Sequence, residues 1–138
     1  MITETVISVL KNDSTIRTLL DSTTANNTPV SASYALNDVA KKFIVVSMVM
    51  GESHETNYEN GIVHLEIYIK TIDNNSPLSI INSISKRIVD LLDLKGSQLN
   101  DSFSAKVYRL RKTSSEVLWD EASQSHVGTM DFEFYKDR

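Results

Sequence analysis

The fold is decided by three consecutive segments: FIVVSMVM (residues 43–50), NGIVHLEIYIK (60–70) and SPLSIINSISKRIVDLLDL (76–94). The first segment is almost continuously apolar and β-prone, which predicts a central strand that is covered on both faces and continues to about His54. The second segment alternates apolar and polar residues with the period of two that is typical of a half-buried strand. The third segment has the spacing of an amphipathic helix. Together they predict an α+β core.

The second strand divides its residues cleanly between two faces. One face carries Val63, Leu65, Ile67 and Ile69, and the other carries Ile62, His64, Glu66, Tyr68 and Lys70. The preceding Asn60-Gly61 pair favours the positive φ angles of a tight hairpin turn. We therefore expect a hairpin with its tip at Asn60-Gly61, which projects beyond the core because residues 52–60 are polar.

The helix prediction rests on both ends of the segment. Ser76 is a good N-cap residue and Pro77 suits the first helical position. The helix should continue to about Leu94, and Gly96 can end it in a left-handed conformation. Helical spacing places one set of aliphatic residues on a single buried face: Ile80, Ile81, Ile84, Ile88, Leu91 and Leu92.

The remaining N-terminal sequence predicts shorter elements. Thr3 can cap a first helix, and Asn12-Asp13-Ser14 interrupts the apolar pattern, so that two helices or one kinked helix are equally compatible. The Thr-, Asn- and Ser-rich stretch at 22–33 has the composition of a loop. A short strand is expected at Tyr34-Ala35-Leu36.

The C-terminal third predicts three strands, at Ala105–Arg111, Glu116–Asp120 and His126–Lys136. In the last of these, Met130, Phe132 and Phe134 share one face. The predicted architecture is therefore a two-layer α+β sandwich, in which one long helix and short N-terminal helices pack on a mainly antiparallel sheet.

Bulk composition indicates one domain spanning residues 1–138, with 41% hydrophobic residues. The net charge of −4 argues against general affinity for nucleic-acid backbones. The chain has no cysteine, which excludes disulfides, thiolate nucleophiles and cysteine-ligated zinc. We find no signal peptide and no apolar run long enough to cross a bilayer, so no membrane partner is expected.

The sequence carries no recognisable catalytic, cofactor or metal motif, so we expect a protein that is not an enzyme and has no cofactor. His54-Glu55 resembles the start of a zinc-protease signature, but Tyr58 stands where the second histidine is required. The oxygen-rich segment at 73–76 lacks the glycine and the distal glutamate of a calcium loop. Neither a Walker loop nor a Gly-x-Ser-x-Gly elbow is present.

Two surface features remain after this search. Arg109 and Arg111 share a strand face in the one basic cluster, where they can pair with acids of a neighbouring subunit or contact phosphate. Trp119 lies beside Glu116, Asp120 and Glu121, and it is better suited to a core or interface anchor than to base stacking, since no basic-aromatic interleaving surrounds it.

The order of these elements over essentially the full length resembles the tail-terminator or tail-completion proteins of long-tailed bacteriophages and prophages. The resemblance is carried by FIVVS (43–47), VHLEIYI (63–69), the helix from Pro77 and the closing DFEFY (131–135). It is a likeness of pattern and length. The family has no catalytic motif to transfer, and the segment at 31–42 is longer and less Pro-rich here than is usual in the family.

The resemblance implies a structural subunit of a ring, often hexameric, that caps the tail tube, stops tail polymerisation and joins tail to head. Its partners would be copies of itself, the tail tube protein and the head connector or neck proteins, without sequence-specific nucleic-acid binding. It would assemble in the host cytoplasm and reside at the head–tail junction of the virion. The residues expected at the contacts between subunits or with partners are Glu52, His54, Tyr58, Asn60, Gly61, Arg109, Arg111 and Trp119.

Three alternatives stay open on the sequence. The first is a head-completion, neck or minor tail protein of the same virion. The second is a small enzyme with a cryptic polar site, which would need a cleft that gathers His64, Glu66 and Tyr68. The third is a nucleic-acid-binding domain, which would be retained on DNA in a salt-dependent manner.

Overall fold

The computed structural model describes residues 2–32, 41–50, 58–70, 76–95, 107–122 and 124–137. Within these ranges the chain forms three helices and six strands. In chain order they are α1 (Ile2–Asn12), α2 (Ser14–Leu19), β1 (Val30–Ser31), β2 (Lys42–Met50), β3 (Tyr58–Lys70), α3 (Pro77–Leu92), β4 (Leu94–Lys95), β5 (Val107–Asp120) and β6 (Ser125–Asp137).

The described strands make one sheet with the order β1-β2-β3-β6-β5-β4. The β1–β2 pairing is parallel, whereas the four other pairings among the described strands are antiparallel. The structure thus confirms the predicted α+β class with a mainly antiparallel sheet. No helix in the described part of the chain is long and apolar enough to cross a membrane.

All three helices contribute apolar side chains to a core on one face of the sheet. Helix α3 presents Ile81, Ile84, Ile88 and Leu92, which are fully buried. Burying four such side chains contributes about 6–12 kcal/mol before the entropy of folding is subtracted. The sheet meets the helices with buried residues from β2, β3, β5 and β6, namely Ile44, Val46, Val63, Leu65, Ile67, Ile69, Leu110, Met130, Phe132 and Phe134.

The N-terminal sequence forms two helices, which decides between the two forms that its pattern allowed. Asp13 ends the first and caps the second, because its carboxylate accepts a hydrogen bond of 2.9 Å from the Ile16 amide. The same carboxylate receives two hydrogen bonds from Arg87 of α3, at 2.6 and 3.1 Å. Arg87 is the largest cause that holds the pKa of Asp13 below its usual value. This contact ties α2 to α3.

Asn60-Gly61 is not the hairpin tip that the sequence predicted. Both residues lie inside β3, where Gly61 pairs with Met50 on one side and Phe134 on the other. A Cβ atom at Gly61 would lie 2.5 Å from the Val49 carbonyl oxygen and 2.8 Å from the Phe134 ring. The glycine is therefore required for the close approach of neighbouring groups.

The predicted strands at Ala105–Arg111 and Glu116–Asp120 are one continuous strand, β5, over the residues that the structure describes. Irregular pairing between Val107 and Arg109 and between Lys112 and Ser114 lets β5 follow β6 through the polar segment that we expected to interrupt it. The polar loop at 22–33 also contains β1, which the sequence did not predict. The predicted strand at Tyr34-Ala35-Leu36 and the helix stop at Gly96 lie outside the described residues.

Strand β2 agrees with its prediction only in its first half. Phe43 and Val45 are buried on the sheet face opposite the helices, in a small cluster with Tyr68 and Val127. Farther along, Val49 is 64% exposed. Within the described residues β2 has only the two-residue β1 outside it, so it lies near an edge and not at the centre of the sheet. Helix α3 ends at Leu92 and not at Leu94, since Leu94 belongs to β4.

Candidate assembly surfaces

The sheet face opposite the helices carries a line of paired polar side chains. His64 of β3 lies directly across from Asp131 of β6, and its Nδ1 is 2.5 Å from the Asp131 Oδ1. Ser114 of β5 donates a hydrogen bond of 3.1 Å to the other oxygen of the same carboxylate. The Nε2 atom of His64 is 3.9 Å from a carboxylate oxygen of Glu66. These bonds fix the register of three strands on an accessible face.

A second polar group lies on the same face, nearer the first residues of β5. Arg111 donates a hydrogen bond of 3.0 Å to Glu133 Oε2, and the Tyr135 hydroxyl donates one of 2.6 Å to Glu133 Oε1. The Tyr135 hydrogen bond and then the Arg111 hydrogen bond hold the pKa of Glu133 below its usual value. Glu133 is therefore ionised and its charge is locally compensated by Arg111.

These polar groups line none of three surface clefts that the described residues form. The Tyr68 ring stacks on Phe43, with centroids 4.7 Å apart and planes within 10°. Three surface clefts of 350–400 Å³ are lined by other residues and include neither His64, Glu66 nor Tyr68. Across the described ranges, no three His, Asp or Glu side chains are grouped closely enough to hold a metal ion. The cryptic-enzyme alternative gains no support from this geometry.

Two exposed apolar patches lie at diagonally opposite corners of the sheet. The first consists of Val49 and Ile62, which pair directly across β2 and β3 and are 64% and 40% exposed. The second lies near the end of β5, where Val117 and Trp119 project to the helix side and Leu118 to the opposite face, each between 43% and 49% exposed. Trp119 makes an edge contact with the His126 ring at 5.0 Å.

The described residues of the predicted contact set are distributed between the two ends of the sheet. Asn60 and the backbone of Arg109 both pair with Tyr135, so they occupy one row at the end where β3 begins. Asn60 Oδ1 is buried and has no hydrogen-bond partner among the described residues. Tyr58 begins β3 at this end, Gly61 follows in the same strand, and Arg111 belongs to the polar group on β5.

Trp119 lies at the opposite end, next to the turn between β5 and β6. Glu52 and His54 lie outside the described residues. Nothing in the geometry tests whether any of these residues contacts a partner, so the set stays a prediction.

Sequence reasoning missed two features of these surfaces. It did not single out the exposed pair Val49 and Ile62, because β2 reads as a uniformly apolar strand. It also treated Trp119 alone, although the Val117-Leu118-Trp119 run between two acids is the signal of an apolar patch at a charged strand end.

The comparisons with known proteins identify the fold. No family model and no curated protein matches the sequence. A chain in a solved structure of the virion of a native gene transfer agent (GTA) particle superposes with a TM-score of 0.67 and 11% sequence identity. The superposition covers 96% of this chain and 92% of that chain. Since the identity is so low, this likeness establishes a shared fold alone.

Proposed function

We propose that this chain is a structural protein of a virion. The observation that carries the proposal is the fold shared with a chain of the gene transfer agent virion, which spans nearly the whole of both chains. The order of sequence elements independently resembles a family of tail proteins.

Within the virion, we propose the tail-terminator role: a closed ring of copies that caps the tail tube, stops its polymerisation and presents a surface to the head. A ring subunit needs two unlike surfaces on opposite sides, since heterologous contacts repeat around a closed rotation. The exposed patches at Val49/Ile62 and Val117–Trp119 lie at opposite corners of the sheet and differ in composition. They are suited to contacts with neighbouring proteins.

A direct test is to delete the gene from the phage or prophage that encodes it and to measure tail lengths by electron microscopy. We expect tails that are longer and more variable than normal and that are not joined to heads. A plasmid that supplies the intact chain should restore the normal length, whereas a matched plasmid with an early stop codon should not.

Other outcomes of the same experiment lead to other conclusions. Tails of normal length beside heads that leak DNA would contradict capping and favour the head-completion or neck alternative. Particles that are normal in number, length and infectivity would contradict a structural role altogether.

A further inference from the structure

Trp119 and a cleft beside Lys42 lie at opposite sides of one row of the sheet. Lys42 of β2 pairs with Ile69, Ile69 pairs with His126, and His126 pairs with Trp119 of β5. Directly paired residues project to the same face of a sheet, and Ile69 belongs to the core under the helices. Trp119 and Lys42 therefore occupy the helix side at the same height.

The cleft at the Lys42 side is large enough to receive a side chain. Its volume is about 370 Å³, and its lining includes Leu20, Pro29, Asn27 and Lys42. Lys42 projects from β2 at this cleft and forms an ion pair of 2.9 Å with Asp21. Pro29 supplies apolar surface to the lining, Leu20 is almost fully buried, and the other lining residues are polar or charged. An indole ring can pack against the proline and donate its N–H to one of the polar groups.

The charges beside the two surfaces are opposite. Lys41 and Lys42 outnumber Asp21 at the cleft, which gives that rim a net charge of +1 from these three residues. The strand end that carries Trp119 has three acids, Glu116, Asp120 and Glu121. Glu116 and Asp120 project to the face opposite Trp119, since they pair with Thr129 and Ser125, so they lie at the same edge but not on the same face. Opposite charge at two surfaces favours their encounter and fixes their orientation more than it adds affinity.

We propose that Trp119 of one copy of this chain inserts into the Lys42 cleft of a second copy. When a second copy is placed beside the first by a rotation, the Trp119 side of one copy meets the Lys42 cleft of the other. Each end of this pair still has one of the two surfaces free, so further copies can add by the same contact. The exposed Val117 widens the apolar contact around Trp119 on the same face of β5. The contact supplies the subunit interface of the proposed ring, and in that respect it rests on the proposed function.

The absence of cysteine makes cross-linking the sharpest test. Val117→Cys places a thiol beside Trp119 and leaves the indole intact, and Asn27→Cys places a thiol at the cleft. The two purified full-length variants, distinguished by tags of different mass, are mixed at high concentration and treated with a short bis-maleimide. We expect a mixed dimer that joins the two variants.

Two matched controls define the result. Asp90→Cys, at an exposed position of α3 nine residues beyond the Ile81 that lies over Gly128 and its neighbour Val117, replaces Asn27→Cys and should give only background cross-linking. Adding Trp119→Ala to the Val117→Cys chain should lower the mixed product about tenfold or more, because an interface tryptophan carries a large share of binding energy. Circular dichroism should confirm that this half-exposed substitution leaves the fold intact.

The inference is overturned if the mixed product does not exceed the Asp90→Cys background, or if Val117→Cys cross-links mainly to itself, which would indicate a two-fold contact between identical edges. Its failure is distinct from failure of the proposed function. Mixed dimers together with normal tails in the deletion mutant would retain the contact and reject capping, whereas overlong tails without mixed dimers would do the reverse.

Discussion

Strands β5 and β6 are neighbours in one sheet, yet most described side chains of β5 are exposed whereas those of β6 are buried or half-buried. In β6, Phe132 and Phe134 are fully buried beneath the helices and Met130 nearly so. In β5, every side chain from Arg111 to Trp119 is exposed, on both faces of the strand. Paired backbones therefore do not imply shared burial.

This difference separates two kinds of constraint. The residues of β6 are fixed by packing against α3, where a change of volume is felt at once. The exposed residues of β5 have no comparable packing in the described structure, so their apolar character is explained better by an external contact than by folding.

Phe132→Ala should destabilise the fold by about 3–5 kcal/mol, since it removes a fully buried ring and leaves a cavity. The matched change on β5, Val117→Ala, should alter the free energy of unfolding by about 0.5 kcal/mol or less. Chemical denaturation of the two variants measures both values. Equal losses would show that β5 is packed as tightly as β6.

Gly61→Ala should cost about 1–3 kcal/mol, because the new methyl group would lie 2.5 Å from the backbone oxygen of Val49, which cannot rotate away. At Gly128 the nearest atom, also at 2.5 Å, belongs to the Ile81 side chain, which can adjust. Gly128→Ala should therefore be the milder of the two when both variants are compared by thermal denaturation. A neutral Gly61→Ala would contradict the placement of this residue inside β3.

Asp13→Ala should lower stability by about 1–2 kcal/mol through loss of the α2 cap. Because the folded pKa of Asp13 lies below the ordinary value of 3.8, its stabilisation is present above pH 3.8 and is lost as pH falls through the folded pKa. Asp13→Asn retains an oxygen that can cap but has no charge to titrate.

The control for this pH dependence is the difference between wild type and Asp13→Asn in unfolding free energy, followed from neutral pH into acid. Glu133, whose pKa is also lowered, is present in both chains and so cancels. We expect the difference to shrink as pH falls below 3.8. A difference that is constant with pH would show that Arg87 does not favour the ionised Asp13 carboxylate.

Arg111→Ala should have the smallest effect, about 0–1 kcal/mol, because its ion pair with Glu133 is formed by an arginine that is more than half exposed. Urea denaturation at low and high salt provides the measurement. A loss well above this range would place Arg111 in the stabilising framework of the sheet and not on a surface available to partners.

The sequence predicted the elements whose side chains repeat with a regular period. The alternation at Val63–Ile69 and the helical spacing at Ile81–Leu92 both correspond to buried faces in the structure. It failed where distant contacts override a local preference. Asn60-Gly61 has the composition of a turn, but pairing with β2 on one side and β6 on the other keeps it extended.

The candidate surfaces were harder to predict from the sequence for a related reason. Whether Trp119 is buried or exposed depends on which element lies over the end of β5, and no local pattern specifies that. Trp119 and Lys42 lie in the same row of the sheet, and this too depends on the registers of three successive strand pairs. The repeat of apolar residues along the sequence describes one helix or strand, whereas a surface is made of residues from several elements.

We propose that the chain acts as a structural subunit of a particle through its exposed edges. An electron cryo-microscopy reconstruction of the purified particles that encode it tests this most directly. We expect a closed ring of copies at the end of the tail nearest the head, with β5 of each copy facing its neighbour. Purified, infectious particles that lack the chain altogether would contradict the claim.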